Sequence, residues 1–555
     1  MPACFWFRKL KLDLCIKNIE TMVNNKTIKN PQSLALALVT CISPVFHTSC
    51  NTDNDKSNDQ RPNIIFILAD DMGYGDVASL NPYARTHTPA IDRMVHEGIT
   101  FTNAHASASV CTPSRYGILT GRYAQRSSTG ADRGIWGFHQ PVIEPERETI
   151  ASLLKNAGYT SACIGKWHLG LDWQTKDGSP AESDRNTGYS NVDYTKEVLS
   201  GPNDYGFDYS FIHPASLDIP PYMFLRNHQV IDPDVILTTD HYPARKDDTE
   251  YAWDKIHTDE HAVYWEKGVW WRQGEMSRSF RIEDCHSEIL REGIKFIETQ
   301  ATENPDSPFL LYLPLTGPHT PWVPTERFKG KSPIGLYGDF VMDIDDVVAQ
   351  IQNTLIRHNI AENTILIFTS DNGGYWPQEE IDLHNHDSNW GRLGQKGDVW
   401  DGGHRIPLIV SWPAGIDKPF KYNHLVSLTD FFATLADLAD LEIEDNMGED
   451  SFSLSHVLKG DKEEPVRPAM THYSSRGTYS IRKGEWKYID RLGSGGFTNP
   501  AIVDPQPGGP QGQLYRILTD SLESTNLYLD NPDKVKSLQE ILEVAKDQPD
   551  RMRIE

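Results

Sequence analysis

The chain has 555 residues, with 53 Lys and Arg against 78 Asp and Glu, a formal charge of −25 at pH 7. No uninterrupted apolar run reaches the roughly 20 residues that span a bilayer, which excludes a polytopic membrane protein, and an acidic surface repels the phosphates of nucleic acid. The seven cysteines are too few for a disulfide scaffold, while the length allows two or three domains around a large apolar core.

Residues 1–60 have the pattern of a secretory signal followed by a flexible acidic tether. Lys26 and Lys29 precede a short apolar stretch from Leu34 to Phe46, and His-Thr-Ser-Cys50 then leads into NTDNDKSNDQ. The long lead points to translation starting at Met22. Cys50 stands where a bacterial lipoprotein carries its lipid, although His47 occupies a position usually held by an aliphatic residue. An exported bacterial protein is expected, either periplasmic or anchored to the outer membrane and cell surface through Cys50.

From residue 61 to 442 strands and helices alternate. Strands are predicted at 62–70, 160–170, 307–315, 364–371 and 405–412, and helices at 88–98, 149–159, 285–300, 339–359 and 424–441. The alternation predicts an α/β fold with a mostly parallel central sheet sandwiched by helices. Between 172 and 284 it gives way to a Pro-, Gly-, Tyr- and Trp-rich insertion, and so long an irregular stretch is usually functional. The tryptophans crowded between Trp253 and Trp271 serve either as core or as platforms for sugar rings. Residues 443–555 predict a smaller C-terminal α+β domain. Its antiparallel strands lie in THYSSRGTYSIRKGEWKYID, turning at Lys483-Gly484, and a helix follows over 533–546.

Sites in open α/β sheets form beyond the carboxyl ends of the strands. Four predicted strands here end in reactive groups: Asp70-Asp71, Lys166-Trp167-His168, Gly317-Pro318-His319 and Asp371-Asn372. Singly, each has a bland explanation as a cap, a turn or a satisfied structural residue. Together, Asp70, Asp71, Asp371 and Asn372 supply only oxygen ligands, which suits Ca²⁺ and, less well, Mg²⁺. Lys166 and His168, two apart, share a face if the strand continues through them. Thr112-Pro113 has helix-start chemistry, placing Cys111 at a helix N-terminus that favours an anion, with Arg115 on the same face. Unmodified, Cys111 would be a thiolate nucleophile, but a cysteine phosphatase needs a longer loop between Cys and Arg.

Cys111-Thr112-Pro113-Ser114-Arg115, continued by Gly117-Ile118-Leu119-Thr120-Gly121-Arg122, resembles the signature of the formylglycine-dependent sulfatases. Gly165 to Gly170, Gly317 to Pro321 and Lys396 to Pro407 resemble further segments of that family in chain order, and the similarity runs from about Pro62 to about Leu529. The resemblance implies that Cys111 is oxidised to formylglycine (3-oxoalanine) by a formylglycine-generating or sulfatase-maturing enzyme. It implies that Asp70, Asp71, Asp371, Asn372 and the modified Cys111 hold Ca²⁺. Arg115 and Lys166 would then hold the nucleophile and sulfate, His319 and Lys396 would serve the leaving alcohol, and His168 would take the proton that releases sulfate. Asp401 stands where the family usually has Glu. Ser210, His213 and Ser216 are candidates for a further sulfate contact. His384, His386, Asn389, Trp390 and Arg392 of the loop 375–395 are candidates for specificity. Export and aromatic content point to a sulfated oligosaccharide or polysaccharide substrate. The alternatives are a phosphodiester or phosphonate monoester hydrolase of the same superfamily, and a non-catalytic glycan-binding surface protein.

Overall fold

In the computed structural model, which describes residues 61–242 and 272–547, the apolar run Asn63–Ala69 forms strand β1, and every residue in it after Asn63 is buried. Around it the described residues build a ten-stranded sheet: β1, β2 (Ile99–Phe101), β3 (Thr160–Lys166), β4 (Tyr209–His213), β5 (Leu225–Arg226), β6 (Gln229–Val230), β7 (Phe309–Pro314), β8 (Thr364–Ser370), β9 (Leu408–Ser411) and β10 (Phe420–Tyr422). Their spatial order is β10-β2-β9-β8-β1-β7-β3-β4-β5-β6. The central strands β8, β1, β7, β3 and β4 are all parallel, so their carboxyl ends open on one edge of the sheet.

Successive side chains of a strand point to opposite faces, and β1 divides accordingly. Ile64, Phe66 and Leu68 pack with helices α2 (Cys111–Thr120), α3 (Ile150–Lys155) and α6 (Phe431–Leu438). Ile65, Ile67 and Ala69 pack with α1 (Pro89–Glu97), α4 (Cys285–Glu303) and α5 (Gly335–Arg357). The predicted α/β sandwich is therefore present. A second sheet, β11 (Ala469–Tyr473), β12 (Tyr479–Lys483), β13 (Trp486–Ile489) and β14 (Gln513–Arg516), is antiparallel throughout. Helix α7 (Pro532–Asp547) covers it with Val535, Leu538 and Leu542.

Three of the structure's departures from the sequence-based expectations concern the course of the chain. Strand β9 runs antiparallel to β8, because the chain from 371 to 407 has no crossover helix long enough to return it to the far edge. It stays at the carboxyl edge and re-enters from there. The expected helix over 424–441 shrinks to Phe431–Leu438, since Ser427 and Asp430 bind local backbone N–H groups and start a tight turn first. Within the insertion 172–284, Tyr209–His213 is not irregular but a sheet strand parallel to β3, too short to stand out between Pro- and Gly-rich loops. The tryptophans from Trp253 to Trp271, the signal and tether at 1–60, Met22 and Cys50 all lie outside the described residues.

Where the two sheets meet, His105, His404 and His472 are buried ring against ring, with centroids 5.1 Å (His105–His404), 5.1 Å (His105–His472) and 3.8 Å (His404–His472) apart. Arg405, Arg482, Lys487, Asp401 and Glu523 surround them. Lys487 bridges Asp401 at 2.8 Å and Glu523 at 2.9 Å, and Arg405 and Arg482 approach His105 Nε2 at 3.4 and 3.2 Å. Burial, with the neighbouring Lys487, holds His404 down to about 3; burial also holds His105, beside Arg405, and His472, beside His404, well below the ordinary histidine range. Folded-state values below the unfolded 6.5 mean that the unfolded chain binds more protons as pH falls under 6.5. Stability is therefore lost on acidification, by on the order of 1 kcal/mol per pH unit per histidine. Glu523, pushed up to about 7 by burial, titrates in the opposite sense. Comparison with His472→Phe isolates one histidine: its Tm is expected to fall less steeply than wild type from pH 6.5 to 4.5. Parallel Tm curves would refute this account.

Candidate active site

The carboxyl edge gathers four strand ends. Asp70 and Asp71 follow β1, His168 follows β3, His319 follows β7 and Asp371-Asn372 follow β8. The residues are not on regular strand at this point. Lys166 is the last residue of β3, and His168 has a left-handed backbone with φ 56°, as does Asp71 with φ 65°. Non-glycine residues seldom adopt this conformation, and it concentrates at functional sites. Strand periodicity thus fails to explain why Lys166 and His168 share the site; a turn at His168 brings it back. Beside Asn372, Gly373 allows an approach that a side chain would block, since a Cβ there would lie 1.8 Å from Gly402 O.

Cys111 begins α2 behind the extended Val110, and Arg115 follows one turn later. Cys111 Sγ lies 3.5 Å from Asp70 Oδ1 and 3.6 Å from Lys166 Nζ. Lys166 Nζ donates to Asp70 Oδ2 at 2.5 Å and to Ser216 Oγ at 3.2 Å. Arg115 donates to Asp371 Oδ2 from Nε at 3.0 Å and Nη2 at 2.8 Å, and to Lys166 O at 3.0 Å. Lys396 Nζ donates to Asp71 Oδ2 at 2.7 Å, and Asn372 Nδ2 donates to Asp71 Oδ1, also at 2.7 Å. His319 Nε2 is 3.6 Å from Asp71 Oδ2.

All these groups are buried. Three carboxylates (Asp70, Asp71, Asp371) therefore face three cations (Arg115, Lys166, Lys396) in a low-dielectric floor. Burial works to raise Asp70, but Lys166, His319 and Arg115 outweigh it and hold it below the usual carboxylate range. Burial and the neighbouring Asp70 push Asp371 up. Burial lowers Lys166, yet Asp70 and the adjacent thiol more than reverse that and keep it charged. For Cys111 burial dominates and pushes the thiol well above its ordinary value, so an unmodified Cys111 is a poor thiolate. Burial, with Lys166 nearby, pushes His168 well down. Its Nε2 faces Ile135 O at 3.0 Å while Nδ1 has no hydrogen-bond partner among the described residues, which describes a neutral imidazole with a bare acceptor nitrogen.

Asp70, Asp71, Cys111 and His319 present ligand-type atoms within 4.8 Å of one another. Asn372 Oδ1 is buried beside them without a hydrogen-bond partner among the described residues. An orphaned amide oxygen next to converging carboxylates fits a hard cation, which accepts oxygen donors. With a divalent ion the balanced floor would become net positive and suited to an anion.

Above the floor opens a cavity of about 880 Å³, lined by Cys111, His168, His319, Lys396 and Asp71 at its base. Asp70, Arg115, Lys166, Asp371 and Asn372 lie beneath it. The walls come from Gly134 to Trp136, from Asp218 and Arg272, from Tyr375 and Pro377 to Glu379, and from Phe497 to Asn499. Several expected specificity contacts are absent from it. Ser210 donates to Asn203 Oδ1 and His213 Nδ1 faces Met223 O, both away from the cavity. Ser216 alone of that trio reaches the floor, through Lys166. Within the loop 375–395, His386 is paired with Asp76, and Asn389 is tied to Gly374 backbone. His384 packs on Trp376, and neither Trp390 nor Arg392 lines the cavity. These residues shape the loop, and its two ends, Tyr375 and Pro377 to Glu379 at one and Gln395 at the other, face the cavity instead. Sequence reasoning missed Asp218, Arg272, Trp136 and Phe497, for which no motif or spacing gives a signal.

A family model described as Sulfatase matches residues 62–441. The N-acetylgalactosamine-6-O-sulfatase of Bacteroides thetaiotaomicron is 34% identical over 522 residues, covering 90% of this chain and 96% of that protein. The arylsulfatase of Hemicentrotus pulcherrimus is 29% identical, covering 77% of this chain and 67% of its own length. A solved Bacteroides thetaiotaomicron structure from the metabolism of multiple glycosaminoglycans is 31% identical with a TM-score of 0.72, and covers 88% of this chain and 100% of that one. The phosphonate monoester hydrolase of Agrobacterium radiobacter, 18% identical with a TM-score of 0.52, covers 88% of this chain and 96% of its own and shares the fold alone.

Proposed function

The chain belongs to the sulfatase family and is a sulfuric ester hydrolase, and from that premise we propose that it desulfates a carbohydrate through Cys111 converted to formylglycine, beside a bound Ca²⁺. The observation that carries this reading is the setting of Cys111. It is buried at the start of α2 against Lys166 and Asp70, where a thiol stays protonated but an uncharged nucleophile precursor is accommodated. The hydrated aldehyde would supply an oxygen nucleophile and, once sulfated, release sulfate by re-forming its carbonyl. Ca²⁺, held by Asp70, Asp71, Asp371, Asn372 and the modified residue, would stabilise negative charge on the transferring group.

The chain's own residues do the rest. Lys166 and Arg115, under the floor, fix the nucleophile's oxygen atoms and offset charge on the sulfuryl group. Lys396 and His319, at the base of the cavity, face the leaving alcohol and give it a proton. His168 accepts the remaining proton at its bare Nδ1. The same reading includes a formylglycine-generating partner enzyme and export directed by residues 1–60, with Cys50 as a lipid anchor. For substrate, the 34% identity to an N-acetylgalactosamine-6-O-sulfatase supports a 6-O-sulfated amino sugar on an oligosaccharide.

Turnover of matched aryl sulfates and aryl phosphate mono- and diesters, followed by a panel of defined sulfated glycans, tests the proposal. Sulfate esters are expected to be preferred by at least about 100-fold, a difference of ~3 kcal/mol in transition-state stabilisation. Activity confined to phenolic sulfates would remove the carbohydrate assignment, and dominant phosphodiesterase activity would remove the sulfate preference as well.

A further inference from the structure

Asp218 stands in the cavity wall on the segment that follows β4, and it is 4% exposed. Its Oδ2 pairs with Arg272 Nη1, which also donates to Asp218 O at 3.1 Å, and Arg272 N donates to the same carbonyl at 3.1 Å. The carboxylate and the guanidinium are thus clamped together at two levels. Asp218 Oδ1, by contrast, is buried with no hydrogen-bond partner among the described residues. His319 Nδ1 lies 3.9 Å from it, and that nitrogen is already engaged with Thr320 O at 2.6 Å. Burial works to raise Asp218, but His319, Arg272, Lys166 and Lys396 outweigh it and hold it well below the usual carboxylate range. It is therefore an anion with acceptor capacity to spare. Arg272 in turn lies over the Trp136 ring, 5.0 Å from its centroid, and Arg185 lies over the same ring at 4.0 Å. Stacking fixes the plane of the guanidinium, and Trp136 and Arg272 both line the cavity that ends at Cys111.

A buried carboxylate oxygen without a donor is costly unless a ligand fills it. The missing group must donate a hydrogen bond, and a second anion is disfavoured beside Asp218. The guanidinium next to it, in the same cavity wall, carries five N–H donors and can give one to an acceptor at the neighbouring position. Adjacent hydroxyls on a sugar ring meet both demands. We propose that Asp218 and Arg272 form a recognition pair for two vicinal free hydroxyls on the sugar ring that bears the sulfate. One hydroxyl donates to Asp218 Oδ1 and its neighbour accepts from Arg272. The inference rests on the carbohydrate assignment made above and narrows it to rings unsubstituted at those two positions.

The test is a cycle between protein and substrate. The fully matured wild type, Asp218→Asn and Arg272→Gln are each assayed on N-acetylgalactosamine 6-O-sulfate, on its 3-deoxy and 4-deoxy analogues, and on 4-methylumbelliferyl sulfate. The wild type should lose about 30-fold or more in kcat/KM when the recognised hydroxyl is deleted, because the buried acceptor is then left unpaired. The variants should lose at most about 3-fold on the same deletion, the signature of coupling between the two partners. Variant effects on the parent sugar should appear mainly in KM. Asp218 would be a positioning residue acting through His319 if the variants lost kcat on sugar and aryl sulfate alike, with a shifted pH profile. That result, or an undiminished penalty for both deoxy analogues in the variants, overturns the proposal. A wild type active on the aryl sulfate but inactive on every sugar sulfate fails at the carbohydrate assignment instead, and the inference falls with it.

Discussion

Cys111→Ala is expected to lower kcat for sulfate ester hydrolysis by at least about 10⁴-fold, the scale seen when an enzyme loses its nucleophile. Folding should be little affected, at about 1 kcal/mol, because Cys111 packs among polar groups and loses only one sulfur atom. The pairing of these two outcomes separates a chemical role from a structural one. Intact-mass measurement of the wild type from a host with a maturing enzyme supplies the complementary test. The peptide containing Cys111 should carry the aldehyde, while protein from a host lacking that enzyme should retain the thiol and be inactive. A thiol-bearing protein with full activity would dismiss formylglycine outright.

Asp371→Asn should have the second largest effect, on both stability and cation response. Asp371 Oδ2 accepts two hydrogen bonds from Arg115 and Oδ1 accepts from Asp71 N at 3.2 Å. Removing the charge leaves the buried Arg115 guanidinium to Asp70 at 3.6 Å as its anion and to neutral acceptors such as the Lys166 carbonyl. Breaking one partner of such a pair costs about 3–5 kcal/mol. In wild type, Ca²⁺ binding only the folded state should raise Tm by mass action and a chelator should reverse the gain. The variant should melt lower and lose most of that response. Retention of a full Ca²⁺-dependent Tm shift in Asp371→Asn would mean that Asp371 serves Arg115 rather than the cation.

The floor of the site was legible in the sequence because its residues are fixed by local chemistry. Asp70-Asp71 follow an uninterrupted apolar run and Asp371-Asn372 follow the buried strand TILIFTS, so the sheet alone brings them together, although they are about 300 positions apart. Cys111 and Arg115 need only one helical turn. The walls were not legible, because they depend on where loops fall. Asp218 has no spacing relation to His319, and its proximity arises only because β4 joins the sheet beside β3. The same ignorance misplaced the specificity contacts of the loop 375–395. There His386 looked like a ligand contact and proved to be a partner for the buried Asp76, a distinction set by which face of the loop turns inward. Asp401, which stands where the resemblance leads to an expected Glu, is reached by Lys487 from β13 at 2.8 Å.

Phe497, Thr498 and Asn499 close one side of the cavity, although they are encoded far beyond the strands that make its base. Their loop is stitched to the Lys396 segment: Phe497 N and Thr498 N donate to Asp398 Oδ1, and Val399 N donates to Ser494 O. During synthesis, every charged group from Asp70 to Lys396 leaves the ribosome before this wall exists. A chain stopped after α6 would carry the full set of reactive residues without this wall, and its Lys396 segment would lack the C-terminal support. The reactive chemistry is therefore completed last, by the part of the molecule that carries none of it.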